Sequence, residues 1–317
     1  MLALVYDQMP QMRDVRLPEP GPDEARVRVR LAGVCSTDLE VCKGYMGFTG
    51  VMGHEFVGTV EDGPAAWQHK RVVGEINCVC GSCELCRGGL GNHCPNRTVI
   101  GIDGRDGVFA AHAVVPVRNL HEVPETVSDE QAVFVEPLAA AFQIVQQVPI
   151  DEQTRMVVLG DGRLAQLIAR VLKLTGGELL LVGKHAHKRE AAEKAGVQTV
   201  ALADYRPRKA ADVVVDATGA PDGLALAMQA VRPRGTIVLK STTAASAGKL
   251  NLAPLVIDEI TVIGSRCGPF PDALDALARG SVDVSPLISR TVALRKAVDA
   301  LDVARQRDVL KVLIDAR

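Results

Sequence analysis

The sequence predicts a two-domain α/β protein, in which a mainly β first segment carrying metal ligands is followed by a doubly wound parallel sheet. Three observations predict it. The chain has 317 residues, more than a typical single domain of about 100 to 200. From Thr154 to Gly196 it reads as strand, glycine-rich turn, helix, strand and basic helix. Upstream, five of the eight cysteines fall within the seventeen residues Cys78 to Cys94.

Composition narrows the function classes. Hydrophobic residues make up 47% and charged residues 23%, with 36 basic against 38 acidic side chains. A net charge of −2 argues against nucleic-acid or anionic-membrane partners. The start, MLALVYDQMP, has no basic leader region, and no apolar run approaches the roughly 20 residues that span a bilayer. The expectation is a cytoplasmic protein, where disulfides are rare and clustered cysteines hold metal or do redox chemistry.

Cys80, Cys83, Cys86 and Cys94 are separated by two, two and seven residues, with Gly81, Gly88, Gly89 and Gly91 letting the loop turn back. Four thiolates on such a loop suit a tetrahedral zinc with complete coordination, which has no open position for substrate. This predicts a clasp. Cys78 lies outside the spacing, and His93 would displace Cys94, so neither is expected to be a ligand.

Chemistry is then expected elsewhere. GVCSTDLE (Gly33 to Glu40) and GHEFVG (Gly53 to Gly58) offer Cys35, His54 and Glu55 as zinc ligands, and three protein ligands with one exchangeable position define a catalytic zinc. In VFVEPLAAAF (Val133 to Phe142), Glu136 is a single carboxylate in an apolar run. Two readings fit it: a metal ligand, since an unpaired buried charge is costly, or an acid in the first turn of the helix that Pro137 begins.

In the second half, Val157 to Leu159 read as a buried strand, and Leu164, Leu167, Ile168, Val171 and Leu172 recur at helical spacing. Between them, Gly160, Gly162 and Ala165 match the G-x-G-x-x-G/A dinucleotide fingerprint, where small residues admit a pyrophosphate to the helix N-terminus. Its position between strand and helix makes the match much stronger than the motif alone. Further strands are predicted at Asp212 to Asp216, Thr236 to Leu239 and Ile260 to Gly264, with a helix from Gly223 to Val231. Strands alternating with helices imply a parallel sheet.

The ordered set GVCSTD, GHEFVG, CGSCELCRGGLGNHC, VEPLA, VLGDGRLA, DATG and LKVLI resembles the zinc-dependent medium-chain dehydrogenase/reductases, the group of alcohol, sorbitol and threonine dehydrogenases, over essentially the whole chain. The resemblance implies a GroES-like, mainly β catalytic domain over 1–143 and 266–317, and a Rossmann domain over 144–265. It implies a catalytic zinc on Cys35, His54 and Glu136, with Glu55 able to enter its shell, and a structural zinc on Cys80, Cys83, Cys86 and Cys94. Asp38 falls on the carboxylate that orients the ligand histidine, and Thr37 on the hydroxyl that accepts the substrate's proton. Gly160, Gly162, Arg163, Leu164 and Ala165 are expected against the coenzyme, with Ala217 and Thr218 of the DATG motif near the nicotinamide. The activity so implied is hydride transfer between a nicotinamide coenzyme and a small alcohol or carbonyl, with zinc polarising the substrate oxygen and the cleft between the domains positioning donor and acceptor.

Coenzyme choice turns on LLLVGKHAHKRE. Where NAD-binding folds carry an acid about 20 residues past the fingerprint, Gly183 stands here, followed by Lys184, His185, Lys188 and Arg189. The missing acid and the basic run favour NADP, with NAD also possible; the other reading of the run is a solvated helix face. A homodimer or homotetramer is expected, with APLVIDEITVIG (Ala253 to Gly264) as a candidate contact or as plain core. Two further classes compete: a zinc-independent quinone or enone reductase on the same scaffold, and a zinc-stapled, nucleotide-binding sensor without turnover. The presence of Cys35, His54 and Glu136 argues against both.

Overall fold

A computed structural model describes residues 1–241 and 250–317. The chain divides into two compact units. The first comprises Met1–Glu136, Ala273–Arg279 and Ile288–Arg317; the second comprises Pro137–Asp272 and Gly280–Leu287.

The first unit is mainly β. Its main sheet has seven strands, ordered Leu120–Glu122, Arg71–Gly74, Glu55–Asp62, Glu24–Gly33, Lys311–Asp315 and Ile288–Ala293, with His112–Pro116 also pairing to Glu24–Gly33. Alternation explains the central strand: in EARVRVRLAG, Ala25, Val27, Val29 and Leu31 are buried while the intervening arginines reach outward. Val27, Val29, Phe56, Val60, Val72, Val115 and Val312 belong to one buried apolar cluster. The C-terminal strand Lys311–Asp315 pairs antiparallel with Glu24–Gly33, so the end of the chain completes the first unit.

The second unit holds a six-stranded, all-parallel sheet. Its order is Gln198–Ala201, Glu178–Gly183, Arg155–Leu159, Ala211–Asp216, Val231–Leu239 and Thr261–Gly264. The strand order reverses between Arg155–Leu159 and Ala211–Asp216, the place where such sheets open a crevice for ligands. The predicted strands are all present, and the helix expected to Val231 closes at Ala230, where Val231 begins the next strand.

The division differs from the expected boundaries near residues 143 and 266. The helix Val135–Gln147 passes to the second unit after Glu136, and 266–272 go with it. Close packing is the reason. A Cβ on Gly268 would lie 2.0 Å from the Ala139 carbonyl oxygen, Gln146 donates to Asp272 at 3.0 Å, and Gln147 to the Gly264 carbonyl at 3.2 Å. Residues 280–287 also join the second unit, where the Asp283 carbonyl accepts from Arg170 Nε at 3.0 Å.

Candidate active site

Strand register assembles the first site. Glu24–Gly33 and Glu55–Asp62 run antiparallel with Gly33 opposite Glu55, so Cys35, just past the end of one, meets His54, just before the start of the other. Cys35 caps the helix Ser36–Val41, and its backbone N–H donates to Asp38 Oδ2 at 2.7 Å. That bond fixes Asp38 beneath the site, fully buried. One ligand atom each from Cys35, His54 and Glu55 lie within 4.8 Å of one another.

The electrostatics suit a cation. His54 Nδ1 stands 3.2 Å from Asp38 Oδ1, yet neither atom has a straight hydrogen bond, and both are buried. Burial opposes charge on His54, but Asp38 and Cys35 together outweigh it and hold the imidazole well above its ordinary pKa. A metal on the ring has to displace that proton, which ties metal binding to pH. A thiolate, an imidazole backed by a carboxylate and a further carboxylate are a zinc donor set, so the residues fit that ion. Thr37 Oγ1 lies 3.7 Å from Cys35 Sγ.

Two findings bear on the expected ligand set. Glu136 is half-buried in the first turn of its helix and is not part of the close Cys35, His54 and Glu55 group. Glu55 is also tied to Lys311, with both side chains buried. The sequence analysis missed Lys311, although the signal was there: it is the one charge at the head of the apolar run KVLI.

The cysteines of the second group lie together in space. Cys80, Cys83, Cys86 and Cys94 converge, with Sγ–Sγ distances of 3.9 Å for Cys80–Cys86, 3.8 Å for Cys83–Cys94 and 3.5 Å for Cys80–Cys94. Four sulfurs about 2.3 Å from a tetrahedral zinc stand about 3.8 Å apart, so the cluster already has the dimensions of the ion it would hold. The thiols perturb one another accordingly: backbone N–H groups of Ser82 and Cys83 lower Cys80 to about 5, while burial and neighbouring sulfurs push Cys86 up to about 12. Cys78 and His93 stay outside the group.

In the second unit the fingerprint turn sits at the reversal of strand order. Gly160 has φ +113°, and a Cβ there would lie 2.7 Å from the Ala217 carbonyl oxygen, so both conformation and space require glycine. Gly162 caps the helix Arg163–Lys173, Arg163 and Leu164 are half-buried in its first turn, and Ala165 packs fully buried. Asp216 organises the neighbouring turn by accepting from the Thr218 N–H at 3.0 Å and its hydroxyl at 2.7 Å, which places Ala217 and Thr218 beside Gly160. At the end of Glu178–Gly183, Lys184 is exposed, His185 is half-buried and Lys188 is buried.

Residues 21–125 match the alcohol dehydrogenase GroES-like domain model, and residues 164–279 match the zinc-binding dehydrogenase model. A 2-dehydro-3-deoxy-L-galactonate 5-dehydrogenase of Pseudoalteromonas atlantica is 30% identical, covering 85% of this chain and 84% of its own. The chain belongs to the zinc-dependent medium-chain dehydrogenase/reductase family. An L-threonine 3-dehydrogenase of Pyrococcus horikoshii is 32% identical over 72% of this chain and 71% of its own. Among solved structures, a protein of Sinorhizobium meliloti 1021 assigned as a zinc-binding dehydrogenase and bound to NADP superposes with a TM-score of 0.92, 28% identity and 99% and 98% of the two chains covered. An alcohol dehydrogenase of Escherichia coli CFT073 complexed with NADH gives 0.90, at 25% identity and 99% coverage of each chain. As a family member the chain is an enzyme of the NAD(P)-dependent alcohol dehydrogenase type, with a GroES-like unit and a Rossmann unit.

Proposed function

We propose that this enzyme transfers hydride between a nicotinamide coenzyme and a small alcohol, or its carbonyl partner, at a zinc held by Cys35, His54 and a carboxylate. The observation that carries this is the convergence of Cys35, His54 and Glu55 over the buried Asp38. Zinc, when bound, supplies the Lewis acid that polarises a substrate oxygen. The rest falls to the chain's own residues. Asp38 holds His54 in one tautomer and orientation. Thr37, beside Cys35, accepts the substrate's hydroxyl proton in oxidation while passing its own on toward solvent, and the relay runs backwards in reduction. Glu55 and Glu136 are the two candidates for the third ligand, and the tie of Glu55 to Lys311 favours Glu136 for the resting site. The Cys80, Cys83, Cys86 and Cys94 cluster holds a second, structural zinc.

For the coenzyme, the exposed Lys184 supports NADP, whereas the carboxylate of Asp161 at the same strand end supports NAD. Self-association is proposed through the sheet edge Thr261–Gly264 and the helix Ala253–Ile257, where Val256 and Ile257 are 79% and 77% exposed. The cytoplasm is the proposed location: among the described residues no cysteine is in a disulfide, and no helix is long and apolar enough to cross a membrane.

The deciding experiment is zinc per chain, by elemental analysis, for the wild type, Cys35→Ser and Cys83→Ser. About two zincs in the wild type and the loss of one in each variant are expected from one closed and one open site. A single zinc that Cys35→Ser leaves in place would overturn the catalytic-zinc reading and bring the zinc-independent reductase or the sensor forward.

A further inference from the structure

In doubly wound sheets an acid at the end of the second strand accepts from the adenosine ribose 2′-hydroxyl and repels a 2′-phosphate. Here that strand, Glu178–Gly183, ends on glycine, and no acid follows it in LVGKHAHKR. The place is nevertheless taken by a carboxylate. A Cβ built on Gly183 would lie 2.8 Å from Asp161 Cβ and 2.9 Å from Asp161 Oδ2. Asp161 stands between the two glycines of the fingerprint and reaches across to the end of the neighbouring strand, with its side chain 9% exposed.

Its hydrogen bonds match those of the acid it would replace. An aspartate at 183 would accept from the backbone N–H two residues on, in an Asx turn. That N–H, of His185, instead donates to Asp161 Oδ2 at 2.6 Å, and His185 Nδ1 lies 3.1 Å from each carboxylate oxygen. A carboxylate has about four lone-pair sites, so two bonds to His185 leave capacity for a ribose hydroxyl.

The basic residues that suggested NADP are placed less favourably for a phosphate. Lys188 is buried, Arg189 donates to the Gly183 carbonyl oxygen at 3.3 Å, and the imidazole of His185 is turned to Asp161. Only Lys184 is left exposed, where its charge is solvated. A 2′-phosphate brought to this strand end would lie beside a buried carboxylate at low local dielectric.

We propose that Asp161 is the coenzyme-selecting residue of this enzyme: from the fingerprint turn it supplies the carboxylate that binds the ribose 2′-hydroxyl, and it makes the chain prefer NAD to NADP. This rests on the second unit being the nucleotide-binding one. Its carboxylate reaches the same point as a strand-end acid from a residue 24 positions away from His185 in the sequence.

The test is isothermal calorimetry of the full chain with NAD+ and with NADP+. The wild type should bind NAD+ at least about tenfold more tightly, a difference of about 1.4 kcal/mol. Asp161→Asn should weaken NAD+, strengthen NADP+ and bring the ratio near or below one. Because that change also touches the turn, a second variant, Asp161→Gly with Gly183→Asp, removes the Asp161 Cβ as well as its carboxylate and returns a carboxylate to the strand end in the space so vacated. It should restore the NAD+ preference. Tighter NADP+ binding by the wild type, or equal weakening of both coenzymes by Asp161→Asn, would overturn the assignment and leave the nucleotide-binding reading standing. Absence of binding by either coenzyme would overturn that reading and the assignment with it.

Discussion

Lys311 and Glu55 form an ion pair with side chains 2% and 1% exposed, and the Lys311 ammonium also lies 5.5 Å from the centre of the Phe134 ring. The pair joins the last strand of the chain to the residue beside His54, a proposed zinc ligand. Burying two charges gains little net stability, but removing one partner strands the other. Lys311→Met should therefore destabilise the first unit by about 3–5 kcal/mol in urea denaturation, and adding Glu55→Gln should recover most of the loss. A single variant within 1 kcal/mol of wild type would mean that Glu55 is stabilised by something other than Lys311.

Asp38 faces the ring nitrogen of His54 that a metal on the other nitrogen leaves free. Asp38→Asn keeps the shape but removes the charge that orients and polarises the ring. Zinc affinity at the Cys35 and His54 site should fall about 10–100-fold in chelator competition, with the four-cysteine site unchanged. Equal loss at both sites would point to general unfolding instead.

The four-cysteine loop has little core of its own: Cys94 is fully buried, while Cys80, Cys83 and Cys86 are half-buried. Four thiols at Sγ–Sγ distances of 3.5 to 3.9 Å need a cation between them once they ionise. Stripping zinc should raise hydrogen exchange across 80–94 and leave the parallel sheet of the second unit protected. Unchanged exchange there would argue that the loop is held by its backbone alone.

Asp212 accepts from Arg232 Nε at 2.6 Å and from the Arg155 N–H at 2.8 Å. Partial burial acts to raise its pKa, but the two arginines prevail and lower it from 3.8 to about 2. A depressed native pKa stabilises above the unfolded value and loses that contribution as pH falls toward the native one. Stability of the wild type should thus drop between about pH 4 and pH 2 more steeply than that of Asp212→Asn. Parallel profiles would remove Asp212 from acid unfolding.

If the edge strand Thr261–Gly264 pairs with its copy, charge on the adjoining apolar face should prevent it. Val256→Asp with Ile257→Asp is expected to turn a dimer into a monomer by sedimentation, without lowering NAD+ binding. A wild type that sediments as a monomer would retire this contact.

Much of this protein is local and therefore readable. Cysteine spacing sets the geometry of Cys80, Cys83, Cys86 and Cys94, because the loop that joins them is too short to place them elsewhere. The strand, Gly160 turn and helix are equally local, and the β-rich half and the parallel sheet follow from alternation and from strands interleaved with helices. What tertiary structure alone decided are the long-range meetings. Lys311 and Glu55 are 256 residues apart, and register along two strands brings Glu55 opposite Gly33. Asp161 and His185 are 24 apart, and a parallel pairing sets one strand end beside the other. The sequence around Gly183 shows cations and no acid, since it lists neighbours along the chain. The electric field at that point is summed over neighbours in space, and there a carboxylate from the fingerprint turn stands beside Gly183.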